Sequence, residues 1–169
     1  MEKGKLSLVL LVVSCLLAFS VHAQNNGDLK IELTAQKVTR DQGGKEVLVS
    51  AETAKPGEVI QYTASYKNAG KSAVTNVKGV IPVPEGMEYL SGTAKPEKIN
   101  ASLDGKKYEP VPLKRKVKLP NGKETLADVP YRDYRFIQWD LKSLPAGGSA
   151  AATARMKIIS AGEIPVKNK

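Results

Sequence analysis

Five of the eleven residues at positions 113–123, LKRKVKLPNGK, are basic. Ammonium and guanidinium groups in such a run suit contact with phosphate, sulfate or carboxylate polymers. Read as a strand, the run places Lys114, Lys116 and Lys118 on one side. Leu113, Arg115, Val117 and Leu119 then form a mostly apolar row on the other, and Asn121-Gly122 supplies a tight turn. Two readings remain open. The lysines form either a solvated hairpin edge that discourages edge-to-edge aggregation or a contact strip for an acidic polymer.

A second stretch, VPYRDYRFIQW at positions 129–139, interleaves aromatic residues with arginines. Tyr131, Arg132 and Tyr134 are candidates for a ligand face, with the rings stacking on sugars or bases. The plainer reading is a loop that enters a core strand. Ile137 and Trp139 share a parity and are expected in the core. Tyr134 and Phe136 fall on the opposite parity, which predicts an outer face or a sheet rim.

Catalytic chemistry finds no such foothold. The chain has one Cys (Cys15) and one His (His22), both in a segment expected to be removed. Without them there is no Cys/His zinc spacing and no imidazole base for a Ser-His-Asp or Cys-His nucleophile. The carboxylates are scattered, and none falls in a D-x-D-x-D-G calcium loop. A glycosidase needs only two carboxylates, but no pair is marked out for that work. The expectation is a non-enzyme without metal or cofactor. Asn100-Ala101-Ser102 matches the N-x-S sequon and is read as an ordinary strand-turn segment.

The N-terminus predicts the compartment. Lys3 and Lys5 form a positive n-region, and residues 6–19 are an apolar run. Val21 and Ala23 are the small residues a secretory cleavage site needs, so cleavage is expected before Gln24. A rival reading takes VVSC, ending at Cys15, as a lipobox. Apolar residues continue past Cys15 through Phe19, whereas a lipoprotein turns polar after its cysteine. Removal of residues 1–23 takes 26 basic and 17 acidic residues to 24 and 16, a net charge of about +8. The protein is expected in the periplasm, in the medium or at the cell surface. Its partner is expected to be an envelope protein, a glycan or an acidic polymer.

The positioning elements are short and β-like. Leu29, Ile31 and Leu33 alternate on one face. Ile60, Tyr62, Ala64 and Tyr66 do the same after the turn AKPGE, as do Val77, Gly79, Ile81 and Val83. Pro82 cannot donate to a ladder and predicts an edge or a bulge. Asp104-Gly105 signals a hairpin. Ala152, Ala154, Met156 and Ile158 align in the last run. No helical periodicity follows Ala23. The expectation is an all-β antiparallel sandwich of about seven to nine strands, with a barrel as runner-up. Residues 24–28 are expected to be flexible, 29–160 a single domain, and 161–169 a polar tail. Tyr62, Ile137 and Trp139 are its expected core markers.

Several segments, in order, resemble the bacterial conserved-repeat domain family known as DUF11. The similarity lies in KPGEVIQYTASYKNAGKSAVTNVKGVIPVPEGMEYLSGTA at positions 55–94, then in ASLDGKKY and IQWDLKSLPAGGSA. It covers residues 31–159. One departure is Ile81, where the family often has an acid before its second-strand proline. The resemblance implies an immunoglobulin-like sandwich on an envelope or surface protein, and it implies no reaction.

Overall fold

The computed structural model describes residues 28–160. The cleavage site expected after Ala23, the alternative site at Cys15 and the tail 161–169 lie outside the described residues. In chain order the strands are β1 (Leu29–Arg40), β2 (Glu46–Ser50), β3 (Val59–Asn68), β4 (Val74–Pro82), β5 (Met87–Tyr89) and β6 (Asn100–Ser102). Then follow β7 (Glu109–Pro110), β8 (Lys114–Lys118), β9 (Glu124–Asp128), β10 (Phe136–Leu144) and β11 (Ser149–Ile158). A 3-10 turn, Tyr131–Asp133, precedes β10. Eleven strands exceed the seven to nine expected, because β7 is only two residues long and β8–β9 forms a separate hairpin.

The fold is an antiparallel, immunoglobulin-like β-sandwich. One sheet has the order β2-β1-β3-β11-β5, and the other has the order β4-β10-β6-β7. The core follows period-two alternation. Ile60, Ala64 and Tyr66 of β3 are buried beside Ala152, Ala154 and Met156 of β11. From the other sheet come Val77 and Ile81 of β4, and Ile137 and Trp139 of β10. Large residues face small ones across the ladders: Tyr66 is opposite Ala150, Tyr62 opposite Ala154 and Trp139 opposite Gly79. Such pairing lets the large rings occupy the space that the small residues leave between the sheets. Gly79 leaves room for the packing, since a Cβ there would lie 3.0 Å from both the Tyr66 hydroxyl and Leu141 Cδ1 and those side chains would have to shift.

Two tyrosine and asparagine contacts hold the ends together. β4 is an edge strand, as Pro82 predicts, and its Val80 N–H donates to the Tyr66 hydroxyl at 3.0 Å. Asn68 is fully buried. Its side-chain N–H groups donate to the carbonyls of Ser72, Leu144 and Pro145, and its Oδ1 accepts from Gly70 N–H. That side chain ties the β3–β4 turn to the β10–β11 loop.

β10 departs from simple alternation. A bulge at Lys142, where φ is +59°, shifts the register between Asp140 and Ser143. Asp140 Oδ1 accepts from Lys142 N–H and fixes the bulge. Leu144 thereby enters the core although Ile137 and Trp139 are of opposite parity.

β1 alternates as its sequence indicates, yet its apolar face is poorly covered. Its register with β3 puts Ile31 opposite Tyr66 and Leu33 opposite Ala64, on the core-facing side of the sheet. Yet Ile31 is 62% exposed and Leu33 46%. The second sheet ends with β4, which packs over β3, so β1 projects beyond its cover.

Candidate functional site

The hairpin β8–β9 realises the turn predicted at Asn121-Gly122. Gly122 has φ +80°, and Leu119 N–H donates to Lys123 C=O at 2.8 Å. Lys114, Lys116 and Lys118 do share one face, but the register places Asp128, Leu126 and Glu124 opposite them. Lys114 pairs with Asp128 at 2.8 Å, and Lys116 lies 3.8 Å from Glu124. All four side chains are largely exposed, so each pair contributes at most about 1 kcal/mol. Their effect on the field matters more. Three cations alternate with two anions and an exposed leucine, so the face is not a continuous basic strip.

The expected ligand face does not form as read. Tyr134 is fully buried, and its hydroxyl accepts from Leu113 N–H at 2.7 Å. Burial pushes its phenol pKa up. The expectation that it lies on an outer face fails because strand parity begins only at Phe136; Tyr134 closes the 3-10 turn instead. Tyr131 is half-buried and packs edge-on against Tyr134 and Tyr89, with centroids 5.2 and 5.8 Å away. Tyr89 stacks on Tyr134 at 6.3 Å. The three rings are a structural cluster that seats the hairpin base on the sandwich. Arg132 alone of the three predicted residues is exposed.

The core markers divide similarly. Ile137 and Trp139 are buried, and the Trp139 indole N–H donates to Pro96 C=O at 2.8 Å. Tyr62 is only half-buried, with its hydroxyl 3.4 Å from Met87 Sδ. Tyr66, four residues on, is 2% exposed and carries the central role expected of Tyr62.

An arginine-lined cleft lies beside the tyrosine cluster. It has a volume of about 800 Å³, and its lining includes Arg115, Arg132, Arg135, Asp133, Leu103 and Met87. Four separate segments supply these side chains, so a linear pattern does not show it. Arg115 lies 3.6 Å from Asp133. Arg135 donates through one guanidinium nitrogen to the carbonyls of Arg132 and Tyr134. Arg132 has no ion-pair partner among the described residues. Sequence reasoning placed Arg132 in a ligand face, noted Arg135 in the same stretch without assigning it there, and put Arg115 in a mostly apolar row. One signal was available: Arg115 is the single charge on the otherwise apolar parity of β8, which is the side turned to the cleft.

Guanidinium groups bind carboxylate, sulfate or phosphate through paired N–H donors. Asp133 and Glu85 in the same lining oppose a densely charged polymer. The cleft therefore suits a ligand with isolated anionic groups and apolar or ring surfaces. Buried polar side chains elsewhere serve turns. Ser102 Oγ accepts from the N–H groups of Asp104 and Gly105 and donates to Asp104 Oδ1. Asp104-Gly105 thus forms the predicted β6–β7 connection as a loop longer than a two-residue hairpin. The Asn100 sequon forms β6 itself. Among the described residues no group of three or more His, Cys, Asp or Glu is placed to hold a metal, and no helix is long and apolar enough to cross a membrane. No protein-family model matches the sequence, and no curated protein matches it either.

Proposed function

We propose that this is an exported, non-catalytic protein of the bacterial envelope, whose DUF11-like sandwich has a structural or interaction-mediating role. The carrying observation is how its buried polar side chains are used. Asn68 and Ser102 are fully engaged in holding turns, and neither projects into the cleft. The tyrosines with raised pKa values owe them first to burial in the core rather than to a neighbouring catalytic group. Cell fractionation tests the reading: the protein should appear in the periplasmic, surface or culture-fluid fraction, and recovery in the cytosol would refute it.

A second reading is favoured by the arginine cleft: binding of an acidic glycan or similar anionic ligand. Arg132 then makes the main contact, and the lysine face of β8 adds only weak attraction. Binding to a panel of acidic glycan, lipopolysaccharide and DNA should weaken as salt rises, by screening and counterion release. Arg132→Gln should weaken it more than the triple change of Lys114, Lys116 and Lys118 to Gln. Equal affinities of wild type and Arg132→Gln would remove the cleft from consideration.

A further inference from the structure

β1 leaves half of one edge open. β2 pairs only with Gln36 to Arg40, so residues 29–35 have no ladder on that side among the described residues. The direction of the free groups is fixed at both ends of the strand. Ala69 N–H donates to Asp28 C=O on the β3 side, and Asp41 N–H donates to Lys45 C=O on the β2 side. Even-numbered residues therefore direct their backbone groups toward β3, and odd-numbered residues direct theirs away from it. Leu29, Ile31 and Leu33 point N–H and C=O groups at the open edge. The usual protections are sparse there: the stretch LKIELTA has no proline and no bulge, and Lys30 is its one lysine.

We propose that this edge binds the same edge of a second copy of the chain, antiparallel, with Ile31 opposite Ile31 of the second copy. In this register Leu29 lies opposite Leu33 of the second copy, and the three pairs exchange about six ladder hydrogen bonds. The even residues choose the register. Lys30 falls opposite Glu32 of the second copy, and the two-fold axis makes that pair twice. Centring the pairing on Glu32 would place two carboxylates face to face. Lys30 already lies opposite Lys67 across β3, so an added acid relieves a like-charge neighbour. The side-chain rows of Ile31 and Leu33, uncovered by the second sheet, then continue across the junction.

The chain's own tail is a poorer occupant. β11 runs parallel to β1, and Lys157 is level with Val59 and through it with Val38. The described chain thus leaves the sandwich at the end of β1 remote from Ile31.

Sedimentation velocity of the purified protein, across about 1–100 μM, reads the association directly. Wild type should populate a dimer. Lys30→Glu and Glu32→Lys should each weaken it by about tenfold or more, and the double change should restore it, because each altered charge then meets the other. Ile31→Pro should abolish it, since it removes an N–H on the open side and leaves the β3 ladder donors in place. Thermal melting and Trp139 emission check that each variant folds. A wild type that stays monomeric throughout, a double variant no better than the single ones, or an Ile31→Pro protein that still dimerises would overturn the proposal. A monomeric wild type that dimerises only after truncation at Ser160 would assign the edge to the tail and overturn it as well.

Discussion

Trp139 is 1% exposed, lies against Gly79 across the β4–β10 ladder and donates its indole N–H to Pro96. Trp139→Ala removes both the packing and the hydrogen bond, leaving a cavity between the sheets. It should cost about 3–5 kcal/mol, measured by chemical denaturation. Native emission should be blue-shifted, and a solvent-like spectrum would contradict this placement. At the residue scale Trp139 and Ile137 were legible because they lie within a regular strand. Tyr134 was not, because the Tyr131–Asp133 turn resets the parity just before that strand. Asn68 was hidden for another reason: an asparagine in a turn sequence gives no sign that the distant carbonyls of Leu144 and Pro145 converge on it beside that of Ser72.

β3, β4, β11 and the first half of β10 were readable as elements because each buries one face and so alternates. The bulge at Lys142 was not, since it depends on Asp140 reaching back to Lys142 N–H. Lys142 holds a left-handed conformation that suits glycine and is hostile to β-branched side chains. Lys142→Gly should leave stability unchanged or raise it, whereas Lys142→Val should lower it by about 1–2 kcal/mol. Equal melting temperatures for the two variants would show that the bulge does not set the register of β10. The β8–β9 hairpin shows the opposite limit. Its parity and turn were readable, but its neutralisation by Asp128 and Glu124 depends on a register fixed only by the folded hairpin. β1 reads as a core strand because its alternation is real; only the width of the second sheet decides that Ile31 and Leu33 stay uncovered.

Across the molecule, the titrating groups bracket a window of stability. Burial raises the phenol pKa values of Tyr62, Tyr66, Tyr89 and Tyr134 above 10.0. Their contribution is fully present below that value and is lost as pH rises through the raised values. On the acid side, hydrogen bonds from the Lys106 and Lys107 backbone hold Asp104 below 3.8, and the Lys78 ammonium does the same for Asp140. Their contribution is present above that value and is lost as pH falls through the lowered values. The melting temperature should therefore form a plateau between about pH 5 and 9 and fall on either side. Tyr134→Phe should reduce the stability on the plateau by about 1–3 kcal/mol, with a lower melting temperature, because Leu113 N–H loses its acceptor, yet flatten the alkaline decline. Parallel alkaline limbs in wild type and variant would contradict the assignment.

Every functional reading of this sandwich depends on export, and the chain's own N-terminus reports it. Intact-mass spectrometry of protein recovered from fractionated cells is the most direct measurement. The account predicts a chain beginning at Gln24, or at its cyclised form, in the extracytoplasmic fraction. A chain that still begins at Met1 and stays in the cytosol would contradict it, and a lipid-modified Cys15 at the N-terminus would contradict both the cleavage site and the free, unanchored state.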